Sequence, residues 1–387
     1  MPVEPAVPAG LTEHQTAAWA LARDFAQNEI APHAREWNAA HHVPVDVFRK
    51  LGEIGLLGLT IPEAYGGPGL DATSLALVTE ELARADAGTS VAIAVQNGLV
   101  ASPILRAGSE EQKREWLPRL ATGELFGCYA LTEPDAGSDT ASLRTRAVDT
   151  GDGWRVTGNK MWITNGGVAD VFVIFARTGE EGARGISAMV SGPGEGLTVG
   201  HEIPKLGLHT SSTVELAFND FLVPRSGLLG AEGEGLKLAL ATLDGGRITV
   251  AAQAVGIARA ALELAVSYAT DRQAFGGPIA RFQGVHFPVA EIAAQIDAAR
   301  LLTLHAAQLR DAGRPHGPAG AKAKLFASNV AVRAADVCVQ TLGGYGYSAE
   351  YDAERYYRDA KITEIYEGTS QIQRMVIARD LFGGAAR

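Results

Sequence analysis

The spacing of apolar residues changes twice along this chain of 387 residues. From Thr12 to about Leu120, apolar residues recur with the period of an α-helix. Near Leu125 the period falls to two, which is typical of β-strands, and from about Gly235 the helical period returns. We therefore predict an α+β protein of three domains, an α-helical N-terminal domain, a middle β-domain and an α-helical C-terminal domain, at residues 1–124, 125–233 and 234–387.

The strands of the middle segment are expected to pair in an antiparallel sheet. Turn signals such as Asp152-Gly153 and Asn165-Gly166 separate its short apolar runs. No helix long enough to connect parallel strands lies between them, which favours an antiparallel, barrel-like β-domain over a parallel α/β sheet. The C-terminal helices are alanine-rich and apolar on more than one face, a pattern typical of a helix bundle or a subunit interface.

Composition narrows the class of protein. A hydrophobic fraction of 47% and a mean hydropathy of +0.04 are those of an ordinary soluble chain. We identify no stretch of the roughly 18 uncharged apolar residues that a membrane helix needs, so no membrane insertion is expected. The N-terminal MPVEPAVPAGLTEHQ lacks a basic region followed by an apolar run, and no secretory signal is predicted.

Charge and cysteine content exclude further classes. The net charge of −10 argues against nucleic acid as a main partner, because such binding relies on basic patches. Cys128 and Cys338 make neither a disulfide framework nor a metal cluster, so no metal site is predicted. These features fit a reducing, cytoplasmic location.

No single motif identifies a cofactor site. No G-x-G-x-x-G follows a strand and opens a helix, and neither a Ser-His-Asp set nor an H-E-x-x-H motif is present. Two predicted strands end in polar turns, YALTEPDAGSD at 129–139 and KMWITNGG at 160–167. In the second, Trp162 and Thr164 share one strand face, which suits a planar polar ligand as well as simple core packing. Gly343 in QTLGGYGY follows a helix and is interpreted as its C-cap.

Glu367 lies between an aromatic residue and Gly368, immediately before a predicted helix. Ser370 and Gln373 have the spacing of a capping box, S-x-x-Q, with Thr369 in the turn that precedes it. A carboxylate at this place complements the helix dipole. The local sequence therefore fits a dipole partner, and it leaves open whether Glu367 has a further role.

Six stretches taken together resemble the acyl-CoA dehydrogenase family. LTEPDAGSD, MWITNGG, LDGGRI, DRQAFGGPI…FQ, QTLGGYGY and EIYEGTSQIQ occur in the order and spacing of that family. The resemblance covers essentially the whole chain and is greatest to the short-chain, butyryl-type branch, for which LDxGRI is typical. It implies an α-helical N-terminal domain, a middle β-domain and a C-terminal four-helix bundle, usually assembled as a homotetramer.

The resemblance also implies FAD, bound in extended form between the β-domain and the C-terminal helices. Trp162 would pack on the flavin ring, and the Thr164 hydroxyl would lie near flavin N5. The 340–344 loop would hold the pyrophosphate and adenosine end, reaching in from a neighbouring subunit, and a helix N-terminus at Thr369 would complete that site. The implied FAD-binding residues are Tyr129, Leu131, Thr132, Ser138, Trp162, Ile163, Thr164, Arg272, Phe275, Gln283, Gln340, Gly343, Gly344, Thr369 and Gln371.

Glu367 matches the catalytic base of the family. By resemblance it would remove the pro-R α-proton of an acyl-CoA thioester, while the β-hydrogen leaves as hydride to flavin N5 and gives a trans-2-enoyl-CoA. The Glu367 backbone N–H and a ribityl hydroxyl of FAD would stabilise the enolate oxygen, and electrons would pass to an electron-transferring flavoprotein. Gly246 stands where some relatives carry the base, which leaves Glu367 as the candidate. The implied substrate-binding residues are Ser138, Asp244, Arg247, Tyr366 and Gly368.

Several alternatives share this fold. An acyl-CoA oxidase would use oxygen as acceptor, although such chains are usually much longer, and a nitroalkane oxidase relative would carry Asp at the base position. A nucleic-acid-associated flavoprotein would need a basic surface, and a non-catalytic scaffold would not need an intact base motif. Butyryl-like, branched and aromatic-substituted acyl groups all fit the motifs.

Overall fold

The computed structural model describes residues 10–386, in which helices are followed by strands and then by helices. Residues 1–9, which hold most of the stretch used to argue against a secretory signal, and Arg387 lie outside the described part. The α-helices are α1 Glu13–Phe25, α2 Ala34–Ala40, α3 Val45–Glu53, α4 Ala72–Ala85, α5 Ala87–Ala94, α6 Ser102–Ala107, α7 Glu110–Thr122, α8 Gly235–Asp271, α9 Gln283–Asp311, α10 Gly317–Leu342, α11 Ala353–Ile362 and α12 Ser370–Phe382. The strands are β1 Gly127–Ala130, β2 Arg146–Asp149, β3 Gly153–Thr164, β4 Val171–Arg177, β5 Ile186–Ser191, β6 Leu197–Glu202, β7 Thr213–Pro224, β8 Leu228–Leu229, β9 Gln273–Ala274 and β10 Gly277–Pro278.

Side-chain caps begin two of the N-terminal helices. Thr12 caps α1 in a capping box. Ser109 caps α7, as predicted, and Gly123 ends that helix at φ 75°. π-helical turns at 26–30 and 95–101 continue α1 and α5, so each of these helices is longer than its regular α-helical part.

The middle segment forms one mixed sheet in the order β6-β7-β3-β2-β4-β5-β8, with β1 paired to β4. Most neighbours are antiparallel, as predicted. However, β1 pairs with β4 in parallel, from Gly127↔Val171 to Ala130↔Ile174, and the start of β2 meets the end of β4 in parallel as well. The predicted antiparallel pairing therefore holds for most of the sheet but not for these contacts of β4, because loops and the β2–β3 hairpin return the chain to β4 without a crossover helix.

The longest helix, α8, organises the C-terminal segment. It packs along α9 and α10, and also against α4 of the N-terminal segment. Small residues allow this close approach: a Cβ on Gly256 would lie 2.4 Å from the carbonyl oxygen of Glu80. Since α11 and α12 pack against α10, the bundle predicted from the alanine-rich helices is confirmed.

Two helical stretches have the length and composition of a membrane span, contrary to our expectation that none does. They are Ala87–Ala107 and Gly235–Asp271. In the fold, 89% and 83% of their most apolar windows are buried by other parts of the protein. Core helices of large domains share this composition, since their apolar faces pack on neighbouring elements.

A buried carboxylate joins the three segments. Asp86 caps α5 by accepting hydrogen bonds from the N–H and Oγ1 of Thr89, at 2.8 and 2.7 Å. It also accepts a hydrogen bond from Thr210 Oγ1 at 2.5 Å, in the loop before β7, and pairs with the buried Arg355 of α11 at 3.3 Å. Because its partners come from all three segments, Asp86 fixes how they meet.

We expect Asp86→Ala to destabilise the protein by about 3 kcal/mol, because it removes a helix cap and one partner of a buried guanidinium. Differential scanning calorimetry should show a clearly lower melting temperature. Asp46→Ala is the matched control, since the exposed Asp46 carboxylate pairs with Arg49 at the surface. Equal melting temperatures for the two variants would contradict the role given to Asp86.

Candidate active site

Glu367 lies in a tight turn between α11 and α12. Its φ is 51° and that of Gly368 is 92°, so two consecutive residues are left-handed, which is costly for a residue with a side chain. The turn moves the helix start by one residue relative to our prediction: Thr369 is the N-cap, and its side chain accepts from the N–H of Ile372. The predicted Ser370/Gln373 capping box was therefore wrong.

The side chain of Gln373 hydrogen-bonds to the turn and takes no part in a capping box. Its Nε2 donates to Gly368 O at 2.7 Å and to Glu367 O at 3.4 Å. Lys324 of α10 donates to Gly368 O at 2.8 Å and to Thr363 O at 3.0 Å. These bonds satisfy the carbonyls on either side of Glu367 and offset the cost of its left-handed backbone.

One oxygen of the Glu367 carboxylate is buried without a hydrogen bond within the described part of the chain. The residue is partly exposed, but its Oε2 is buried and has no hydrogen-bond partner among the described residues. Oε2 occupies the space where Gly246 lacks a side chain, since a Cβ there would lie 1.8 Å from it. Burial raises the pKa of Glu367 to about 7, and the charges of Lys324 and Arg247 oppose that rise.

Other predicted substrate-binding residues lie near the Glu367 carboxylate, on α8 and in the turn that contains Glu367. Arg247 is buried, and its Nη1 pairs with Asp244 Oδ1 at 2.5 Å. The Tyr366 hydroxyl hydrogen-bonds to Gln253 Oε1, and Gln253 Nε2 donates to a backbone carbonyl of α5. The structure therefore brings Asp244, Arg247, Tyr366, Glu367 and Gly368 together around Gly246.

The predicted flavin loop 131–138 is held by a buried ion pair. Lys160 Nζ lies 2.8 Å from Glu133 Oε1 and donates to Leu131 O at 3.1 Å. Glu133 in turn accepts from the backbone N–H groups of 144 and 145, at 2.6 and 2.9 Å. Met161 N donates to Thr132 O at 2.9 Å, which ties the loop to β3. Thr132 is half-buried, whereas Ser138 is exposed at the far end of the loop.

A break in the register of β3 leaves the Trp162 side chain exposed. The β3–β7 pairing shifts between Lys160 and Ile163, and within this bulge Trp162 has a φ of 62°. As a result Lys160 and Ile163 are buried, while 52% of Trp162 is exposed. Thr164 is half-buried on the same side of the strand. Tyr129 is buried in β1, and burial, followed by the charge of Glu367, raises the pKa of its hydroxyl.

A groove of about 580 Å³ lies at the end of α10. Its lining includes Arg272, Gly343, Gly344 and Tyr345, and the Arg272 guanidinium lies 5.9 Å from the Tyr345 ring centre. Gly343 ends α10 with φ 61°, which confirms the predicted C-cap, and a Cβ on either glycine would meet nothing within 4 Å. The remaining residues predicted for this end of FAD are exposed or half-buried and do not line the groove: Phe275, Gln283, Gln340, Thr369 and Gln371.

These features fit the groups of FAD. The exposed indole of Trp162 offers a flat apolar face with hydroxyl and backbone donors beside it, as an isoalloxazine ring requires. The groove offers a guanidinium, an aromatic ring and open glycine backbone, which suit phosphates and a purine. Within residues 10–386, no group of three or more His, Cys, Asp or Glu side chains is arranged to hold a metal ion.

Sequence reasoning missed the two buried lysines, Lys160 and Lys324, and the acid Glu133. A lysine inside an alanine-rich apolar helix, as in GAKAKLFAS, is a usable signal, because lysine is rarely buried without a specific partner. KMWITN places Lys160 two residues before the exposed Trp162, where ordinary strand alternation would give them the same face. The register shift in β3 resolves this conflict.

Three family models match the chain along its length. They describe the N-terminal, middle and C-terminal domains of acyl-CoA dehydrogenase, over residues 12–124, 128–221 and 233–382. An acyl-CoA dehydrogenase of Bacillus subtilis (strain 168) is 46% identical over 376 residues, which cover 97% of this chain and 99% of the relative. The mitochondrial short-chain specific acyl-CoA dehydrogenase of Mus musculus is 46% identical over 361 residues, covering 93% of this chain and 88% of the relative.

Solved structures agree with these relatives. Butyryl-CoA dehydrogenase from Megasphaera elsdenii matches with a TM-score of 0.94 and 43% identity, over 97% of this chain and 100% of the other. A chain from a structure of the electron transferring flavoprotein of Acidaminococcus fermentans matches with a TM-score of 0.96 and 46% identity, over 97% and 100%. A glutaryl-CoA dehydrogenase from Mycobacterium smegmatis in complex with FADH2 matches with a TM-score of 0.92 and 34% identity, over 97% and 96%. Because three family models match it along its length and relatives are 46% identical over most of it, the chain belongs to the acyl-CoA dehydrogenase family.

Proposed function

We propose that this protein is an FAD-dependent dehydrogenase of short-chain acyl-CoA thioesters, with Glu367 as the catalytic base. One observation carries the proposal: the Glu367 Oε2 is buried, unpaired and set against Gly246, with a pKa of about 7. A carboxylate of that pKa is ionised in part at neutral pH and can accept a proton from the carbon next to a thioester carbonyl when the developing negative charge is stabilised. The short acyl chain is proposed from the short-chain specific relatives.

The chain supplies both the base and a donor for the developing charge. Glu367 takes the proton from the α-carbon, and the electron pair moves toward the thioester oxygen. The Glu367 backbone N–H makes no hydrogen bond within the described residues, so it is free to donate to that oxygen, a contribution of about 3 kcal/mol. Bound FAD supplies the acceptor for the hydride that leaves the β-carbon, and the product is a trans-2-enoyl-CoA.

The remaining roles follow from position. Asp244 and Arg247 on α8 and the exposed Ser138 at the loop tip are proposed to contact the CoA part, because they match the positions that the family uses for it. Tyr366 and Gly368 flank Glu367 and are proposed to contact the acyl group. Trp162 and Thr164 are proposed to cover the flavin, and Arg272 with Gly343 is proposed to bind its phosphates. An electron-transferring flavoprotein is the proposed acceptor, in the reducing cytoplasm.

A homotetramer is proposed from the unpartnered apolar side chains of the C-terminal helices. Each of these side chains is between about a third and two-thirds exposed in the single chain. Together they expose more apolar surface than the scattered apolar residues on the surface of a monomer. They lie on α9, α10 and α12 and are Phe287, Leu301, Leu302, Phe326, Met375, Leu381 and Phe382.

The central test uses Glu367→Gln. The purified wild type should be yellow, and anaerobic butyryl-CoA should bleach the flavin. The variant should remain yellow and tetrameric but bleach at least about a thousandfold more slowly, because an amide cannot accept the α-proton. Stopped-flow absorbance measures the rate, and light scattering measures the mass.

Glu364→Gln is the matched control, since Glu364 lies in the same turn but pairs with the exposed Lys361. Its bleaching rate should equal that of the wild type. If the flavin of Glu367→Gln bleached at a near-normal rate, the assignment of Glu367 as the base would be wrong. Rapid reoxidation of the reduced wild type by air alone would point to an oxidase instead.

Gly246→Ala tests the space for the carboxylate. The new Cβ would lie 1.8 Å from Glu367 Oε2 and must displace it, so we expect a loss of bleaching rate of about a hundredfold or more with FAD retained. Gly245→Ala is the control, because the nearest atoms to its Cβ would be those at the far end of the Arg310 side chain and not those of Glu367. The contact would be judged unimportant if the two variants bleached equally fast.

A further inference from the structure

Lys324 is a buried cation against the catalytic turn, and no step of the proposed reaction uses it. The residue is 1% exposed. Its Nζ donates to Thr363 O at 3.0 Å and to Gly368 O at 2.8 Å, so it links the two ends of the segment that contains Glu367. Burying an ammonium group costs several kcal/mol, and this cost calls for a compensating interaction.

Hydrogen bonding alone does not explain a lysine at this place. Thr363 O also accepts from Ser328 Oγ at 2.8 Å, and Gly368 O also accepts from Gln373 Nε2 at 2.7 Å. Both carbonyls would therefore keep a donor if the lysine were absent. What only Lys324 contributes is its positive charge.

Glu367 is the acid on which that charge acts. Within the described residues Lys324 makes no ion pair with a carboxylate, and Glu367 Oε2 has no hydrogen-bond partner. Arg247 is the other cation that acts on Glu367, but its Nη1 is engaged by Asp244 at 2.5 Å. Glu364 also attracts Lys324, but less than Glu367 does.

We propose that Lys324 is a positioning residue for the catalytic base, holding the carbonyls on either side of Glu367 and favouring its ionised form by charge. The inference rests on the proposed function, because it takes Glu367 to be the base. The charged and titratable groups around Glu367 are then Lys324 from α10, Arg247 from α8, Tyr129 from β1 and the adjacent Tyr366.

Among these groups Lys324 and Arg247 carry charge near neutral pH. Burial raises the pKa of the Tyr129 and Tyr366 hydroxyls well above the usual range, so both stay neutral. Burial also lowers the pKa of Lys324, to about 8, which still leaves it mostly protonated where Glu367 ionises. Removing the Lys324 charge must therefore raise the pKa of Glu367 above its present value of about 7.

The test is the pH dependence of flavin bleaching by butyryl-CoA in the FAD-loaded Lys324→Met variant. In the wild type the rate should rise with pH through about 7, as Glu367 loses its proton. In the variant the half-maximal rate should need on the order of tenfold lower proton concentration. The rate at pH 9 should recover to within about threefold of the wild type, because the base is then fully ionised in both.

A second readout does not depend on turnover. Carbon-13 NMR of glutamate-labelled, FAD-loaded protein, with the Glu367 carboxyl signal identified by its absence in Glu367→Gln, should show the same displacement of the titration. Lys324→Gln, which keeps an amide donor without the charge, should behave like Lys324→Met. It serves as the test variant should the methionine variant lose FAD.

Two controls separate charge from packing. Ser328→Ala removes the other side-chain hydrogen bond to Thr363 O and should leave the pH dependence in place. Lys322→Met removes an exposed lysine of the same helix, paired only loosely with Asp380 at 3.8 Å, and should also leave it in place.

A Lys324→Met rate that falls equally at every pH, or a titration of Glu367 that does not move, would overturn the proposal. Failure of the underlying function is distinguishable. If Glu367→Gln bleaches normally, the base is not Glu367. If Glu367→Gln is inactive while Lys324→Met titrates like the wild type, only the role of Lys324 is lost.

Discussion

Hydrogen bonds from buried lysines to backbone carbonyls hold both loops that form the site. A loop that approaches a ligand in a dry cleft has carbonyls that neither a helix nor a strand satisfies, and each left unpaired costs about 1–3 kcal/mol. Lys160 satisfies Leu131 O on the β-domain side, and on the helical side Lys324 donates to Thr363 O together with Ser328 and to Gly368 O together with Gln373. Each lysine then has an acid near it, Glu133 or Glu367, but only Glu133 forms a direct ion pair. The difference leaves Glu367 free to take a proton.

The order of elements could be predicted from the sequence because helical and strand periodicity are local properties. The caps at Ser109 and Gly343 were predictable for the same reason. By contrast, the parallel pairing of β1 with β4 and the bulge at Trp162 depend on partners distant in the chain. No local rule reports which strand will lie beside which, and so the parallel contacts with β4 were not predicted.

The same division holds within the site. Resemblance singled out Glu367 and Gly246 separately, but only the fold puts the Glu367 carboxylate into the space that Gly246 leaves. The capping box at Ser370 was wrong because the positive φ of Gly368 turns the chain one residue earlier than the S-x-x-Q spacing indicates. Lys324 was missed because its partners are backbone carbonyls, which no side-chain motif records.

The buried charges of Glu367 and Lys324 lower the free energy of unfolding by an amount that depends on pH. The pKa of Glu367 is about 7 in the fold against an ordinary 4.5, so between these values the folded protein binds more protons than the unfolded chain, and stability falls as pH rises through that window. The pKa of Lys324 is about 8 against 10.5, so between these values the unfolded chain binds more protons, and stability rises with pH. Between about 7 and 8 the fold therefore carries both buried charges at their greatest cost. That is also the range in which the base is ionised and its neighbouring cation is still present, so the interval of greatest cost coincides with the interval in which this arrangement can work.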